Sequence, residues 1–197
     1  MNDKCPPIPR PEHPKPQFER KEWINLNGAW TYTFDFGGSG RDAGRELFKS
    51  KGFASAITVP FCPESPLSGV GHVDFIRDMW YHRTLDIPAA WAGKRVILHF
   101  GAVDFESEIY IDGVSLGRHY GGTSSFRFDL TAHVACGASH DLVVRVHDET
   151  RGASGQPRGK QCPDYKSRIC HYTRTTGIWQ TVWLEAVDPC GLKDCYI

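Results

Sequence analysis

The chain has 197 residues, 40% of them hydrophobic and 12% aromatic, enough for one well-cored domain with little left for a second. Its 23 Lys and Arg balance 23 Asp and Glu, so it carries no electrostatic footprint for nucleic acid or an anionic membrane surface. No apolar run approaches the roughly 18 residues that span a bilayer, and the N-terminal MNDKCPPIPRPEHPKPQFER lacks the apolar centre of a signal peptide, so the expectation is a soluble, cytoplasmic protein.

In chain order, residues 1–22 come first, with six prolines, and read as an extended arm laid over a surface. From Asn27 the pattern changes to period two: Trp30, Tyr32, Phe34 and Phe36 alternate with Thr31, Thr33 and Asp35, which predicts a half-buried strand. Gly37, Gly38 and Gly40 break it, and a short helical turn is expected near 45–49. Further strands are predicted at 56–59, 80–87, 95–100, 108–111, 114–116, 126–130, 142–146 and 177–184. Val96, Leu98 and Phe100 form one core face, and Phe126, Phe128 and Leu130 another. Asp112-Gly113 suits a two-residue type I′ hairpin turn, in which both positions need positive φ. Without a sustained 3.6-residue apolar period or an internal repeat, the chain reads as all-β: two antiparallel sheets packed face to face, a jelly-roll sandwich in preference to an immunoglobulin topology.

The segment 148–176 interrupts this pattern. A loop above about 12 to 15 residues inside a compact domain is usually functional or disordered, and Tyr165, Ile169 and Tyr172 are available as anchors. It is therefore read as ordered and functional. The strand that follows carries large apolar groups on both faces, with Ile178, Val182 and Leu184 on one and Trp179 and Trp183 on the other.

The chemistry can be sorted by residue type. Cys162, Cys170 and His171 lie close together, but a structural zinc site needs closely spaced ligand pairs and no second pair exists, so unpaired thiols are the reading and no metal is assigned. Seven cysteines, an odd number at irregular spacing, likewise favour free thiols over a disulfide framework. No nucleophile motif such as G-x-S-x-G occurs. A carboxylate pair could be assembled from Glu64, Asp78 and Asp104, but nothing in their spacing singles any out, and they are read as solvated loop acids. Sugar binding is the more physical option, since a pyranose offers an apolar C–H face and a rim of hydroxyls. Residues 75–81 and 171–174 both combine aromatic and planar polar groups, though core packing accounts for Trp80 and Tyr81.

Several motifs now carry a resemblance. ITVPFCPES at 57–65, WYHRTLDIP at 80–88, the run WAGKRVILHFGAVDFESEIYIDGVSLGRHYGGTSSFRFDLT at 91–131, PRGKQ at 157–161 and YTRTTGIWQTVWLE at 172–185 together resemble the N-terminal domain of glycoside hydrolase family 2, in order over about residues 23–187. The resemblance implies a jelly-roll domain (23–188) after the arm, followed by an immunoglobulin-like domain, whose first strand 189–197 would begin, and then by a TIM barrel. It implies retaining hydrolysis by two carboxylates roughly 5 to 5.5 Å apart, both in the barrel and outside this chain, with no cofactor. In such enzymes the first domain lends loops to the sugar pocket. The resemblance implies that an Asp six residues before the Gly of the G-I-(aromatic) motif can contact substrate; here that position is His171, a departure from the pattern that leaves no carboxylate there. A polar residue three before the Tyr of the WY motif can line the pocket, and this is Asp78. The resemblance thus makes Asp78, His171, Tyr172 and Arg174 pocket-rim candidates, with Arg174 equally open to a structural role. Arg158, Lys160, Trp179 and Trp183 are candidates for bracing the loop or a neighbouring domain. Three readings stand: a non-catalytic domain of a retaining β-glycosidase, a free-standing carbohydrate-binding module, and a structural domain whose Trp179 or Trp183 builds a homo-oligomer or orients the barrel.

Overall fold

A computed structural model of the chain describes residues 8–151 and 155–192. The first seven residues of the arm, most of the stretch expected to begin a following domain, and Cys5 and Cys195 lie outside the described residues. Twelve strands follow one another among those described: β1 (Trp23–Asn25), β2 (Gly28–Phe34), β3 (Ser55–Val59), β4 (Asp78–Asp86), β5 (Arg95–Phe100), β6 (Val103–Asp104), β7 (Glu106–Ile111), β8 (Val114–Tyr120), β9 (Phe126–Asp129), β10 (Ser139–His147), β11 (Gly177–Ile178) and β12 (Val182–Val187).

These strands form a jelly-roll sandwich. One sheet has the order β1-β12-β5-β9 and the other β3-β2-β4-β10-β7-β8; β11 and β6 make a short pair at one end. All registered pairs are antiparallel. Between the sheets the expected alternation places Trp30, Leu98, Phe100, Ile109, Val144, Val146, Ile178, Val182 and Leu184 in one core. Burying each such side chain contributes roughly 1.5 to 3 kcal/mol against exposing it. Asp112 (φ 49°) and Gly113 (φ 80°) both occupy the left-handed region, and Ile111 pairs with Val114 across that turn, as the Asp-Gly pair predicts. The helical turn near 45–49 is a 3-10 turn, Leu47–Lys49.

Three sequence expectations change. The strand predicted over 177–184 is two strands, because the chain breaks at 179–181 between β11, which pairs with β6, and β12, which pairs with β5 and β1. Phe36 lies beyond the end of β2 and is 57% exposed. Trp183 is placed neither under the long loop nor on an open face. It is 2% exposed, stacks on His99 at 4.6 Å, and borders the same cleft as arm residues His13 to Pro16. The arm is held there by backbone carbonyls: Asn25 donates to Arg10 (2.8 Å) and Asn27 to Pro9 (2.9 Å). Beside Trp183, the fully buried Glu185 accepts from Arg20 of the arm at 2.8 Å and faces His99 at 3.0 Å. Burial opposes the charge of both His99 and Glu185. Facing each other offsets this, and Glu185 still holds its carboxyl below the usual range.

Candidate functional site

Segment 148–176 folds back on itself through backbone bonds at its PRGKQ and YTRTT ends. Tyr172 N–H donates to the Lys160 carbonyl (2.8 Å) and Cys162 N–H to the Tyr172 carbonyl (2.7 Å). Arg174 closes the fold from inside. Its guanidinium donates to the carbonyls of Cys162 (3.0 Å), Asp164 (2.7 Å) and Val73, and lies 4.0 Å over the Phe75 ring. With so many carbonyls in one place, only a planar cation with several donors can satisfy them together.

Three buried carboxylates tie this segment to the sandwich. Glu64, just after β3, accepts from Thr176 N–H at 3.1 Å. Asp148, just after β10, accepts from the Thr176 hydroxyl (2.9 Å) and the Gln156 amide (2.6 Å). Asp104, at the end of β6, accepts from Gln161 Nε2 at 2.9 Å, while Gln161 Oε1 takes Thr175 N–H at 2.7 Å. Burial raises all three acids: Glu64 to about 7, and Asp104 to about 7 with help from the charges of Asp148 and Glu64. The reading of Glu64, Asp78 and Asp104 as solvated loop acids is therefore corrected. They are 6%, 1% and 8% exposed, because each sits where the loop or a neighbouring strand covers it.

A cavity of about 910 Å³ opens between segment 148–176 and the β8–β9 connection. Trp179, Tyr172 and Phe105 supply aromatic surface, and Asp104, Gln161 and Arg158 supply polar groups. Trp179 is half-buried, its ring oriented by an indole N–H bond to the Gly122 carbonyl at 2.7 Å. An apolar wall with a few convergent donors and acceptors is the general make-up of a small-ligand site, and it suits a pyranose.

The expected rim residues divide. Tyr172, 62% exposed, lines the cavity. Asp78 does not: it is paired with Arg145 and with His147 (3.1 Å) inside the six-stranded sheet, where its neighbours on β10 need its charge. His171 is half-exposed outside the cavity, its N–H donating to the Arg168 carbonyl. Arg174 is 3% exposed and holds the loop from within, the structural role of the two left open, so its place as a rim group is corrected. Of the bracing candidates, Arg158 lines the cavity and donates to the Gln161 carbonyl. Lys160 acts through its backbone, and its side chain is exposed. Sequence reading missed Gln161, Phe105 and Asp148 as individual residues. An acid closing the apolar run LVVRVHD was the available signal for Asp148.

Cys162 is buried, its thiol donating to the Lys166 carbonyl at 3.4 Å, whereas Cys170 is exposed. Among the described residues, no group of three or more His, Cys, Asp or Glu is arranged to hold a metal ion.

Comparison with known proteins bears on the whole arrangement. Residues 71–185, more than half of the chain, match Glycosyl hydrolases family 2, sugar binding domain. A beta-galactosidase of Thermoanaerobacter pseudethanolicus is 27% identical over 177 residues, 89% of this chain but 22% of that protein. Beta-galactosidase BoGH2A of Bacteroides ovatus is 32% identical over 135 residues, covering 68% of this chain and 14% of the relative. A solved b-glucuronidase from Ruminococcus gnavus superposes with a TM-score of 0.67 at 18% identity, over 86% of this chain and 30% of that one, and shares its fold. The chain thus spans 22% and 14% of the length of these two curated relatives. With the sandwich, the motifs and the family match in agreement, this chain belongs to glycosyl hydrolase family 2 and carries its sugar binding domain.

Proposed function

We propose that this chain is the non-catalytic N-terminal domain of a retaining β-glycosidase, and that the cavity edge formed by Trp179, Tyr172, Phe105, Asp104 and Gln161 is its contribution to the substrate pocket. The observation that carries this reading is the cavity itself, an aromatic wall beside polar groups already oriented by bonds to the backbone. Its partners are a β-glycoside and the following immunoglobulin-like and barrel domains, which would hold both catalytic carboxylates. Relatives several times longer than this chain support that division of labour. The five unpaired cysteines among the described residues fit a reducing, cytoplasmic setting, which fractionation of the native host would test.

The exposed tip of segment 148–176 favours a docking role beside the pocket role. Tyr165 is 59% exposed, Tyr172 62% and Ile169 fully exposed, apolar side chains that another domain would cover. Trp183, being buried, is not available for an oligomer interface. The test is hydrolysis of a panel of p-nitrophenyl β-glycosides: the purified 197-residue chain turns over none, and the polypeptide extended through the barrel turns over at least one. Turnover by the chain alone refutes the placement of the catalytic groups.

A further inference from the structure

A second concavity, sharing no lining residue with the cavity above, opens between the arm and the adjacent ends of β5, β9 and β12. Its volume is about 330 Å³, within the range of roughly 300 to 1,000 Å³ typical of small-ligand sites. Pro14 and Pro16 of the arm form an apolar wall, and Gly101, Gln180 and Trp183 belong to the facing one. Both walls are set by the fold. The Asn25 and Asn27 amides hold arm carbonyls, and Gly101 passes so close to Gln180 that a Cβ on it would lie 2.6 Å from the Gln180 Cβ.

The polar groups of this cleft are unequally satisfied. Arg10 and Glu12 neutralise each other at 3.1 Å, and His13 faces Glu185. Lys15 is half-buried; its backbone N–H donates to His13 Nδ1 at 3.1 Å, but its ammonium has no ion pair or hydrogen bond among the described residues. The side chains of Gln180 and Ser125 likewise make no hydrogen bond among the described residues, and the buried Trp183 indole N–H has no partner there. One uncompensated positive charge therefore stands beside more donors than acceptors. The complement of such a set is a group that carries negative charge and several lone pairs.

We infer that this cleft is a binding site for a small organic anion, a carboxylate or a sulfate, distinct from the cavity beside Trp179. Lys15 neutralises the anionic group, Gln180 and Ser125 donate to its oxygens, and Pro14 and Pro16 cover the apolar body that the remaining volume admits. One wall is the arm and the other the sandwich, so the ligand binds only while the arm is docked and holds it there.

The test is a titration of the 197-residue chain, at constant ionic strength, with cyclohexanecarboxylate, cyclohexyl sulfate and the neutral cyclohexanecarboxamide. The ¹⁵N–¹H signal of the Trp183 indole reports the cleft, and that of Trp179 reports the cavity. At least one anion is expected to shift the Trp183 signal and to bind about tenfold more tightly than the amide, the scale of one hydrogen bond to a charged group. Which of the two anions binds more tightly identifies the head group. Lys15→Met should remove that tenfold preference, and saturation with the anion should slow hydrogen exchange at the Lys15 amide in the wild-type chain. The comparison of anion with amide needs no variant, so it decides the matter even if Lys15→Met fails to fold. Equal binding of the amide, a shift confined to Trp179, no shift of Trp183 at any soluble concentration, or a preference unchanged in Lys15→Met overturns the inference.

Discussion

Replacing Glu64 by Gln tests whether the carboxylates under segment 148–176 are held there at a cost. Glu64 is 6% exposed, and burial raises its carboxyl from 4.5 to about 7. At about 1.4 kcal/mol per tenfold change in proton affinity, a rise of that size corresponds to roughly 3 kcal/mol of folding free energy once the group must ionise. The sign follows from proton binding. Between pH 4.5 and 7 the folded chain holds a proton at Glu64 that the unfolded chain has released, so stability falls as pH rises through this window. Gln keeps an oxygen for the Thr176 N–H bond at 3.1 Å and never ionises. Glu64→Gln is therefore expected to match wild type within about 1 kcal/mol at pH 4.5 and to exceed it by roughly 2 to 3 kcal/mol at pH 8. Urea unfolding followed by tryptophan fluorescence at both pH values measures this. A variant less stable than wild type at pH 8, or one whose advantage does not grow with pH, would refute the reasoning.

Other perturbations have equally definite outcomes. Arg174→Met leaves the carbonyls of Cys162, Asp164 and Val73 without their donor and should cost about 3 kcal/mol locally, read as faster hydrogen exchange at Cys162 and Tyr172; unchanged exchange contradicts the bracing role. Gly177→Ala places a methyl group into the Tyr81 hydroxyl at a φ of +80°, so the melting temperature should fall by several degrees, with partial recovery in the double variant that also carries Tyr81→Phe. Glu185→Ala strips Arg20 and the buried His99 of their shared partner and should lower stability by about 3 kcal/mol, while a red shift in tryptophan emission reports the arm lifting from Trp183.

Some of this was legible in the residues themselves because it depends on neighbours in the chain. Period-two alternation marked β2, β5 and the β9 region, and Asp112-Gly113 announced its hairpin, since sterics at two adjacent positions decide the turn. The core face of Ile178, Val182 and Leu184 was also readable, even though the strand they were assigned to is split in two. The motifs in their order carried the family.

Tertiary structure alone decided the rest. Glu64, Asp104 and Asp148 are far apart in the chain, so no spacing marks them as neighbours, and only tertiary packing removes them from water. Arg174 and Asp78 were read as rim groups from their places in the motifs that carry the resemblance, whereas the carbonyls and histidine that enclose them are not visible in sequence. Trp183 faces outward from its sheet, as its alternation with Leu184 requires, yet it is buried because an arm some 170 residues earlier lies beside it. Alternation along a strand is a local property set by the pleat; what covers each face is a long-range one, set by which distant segment reaches it.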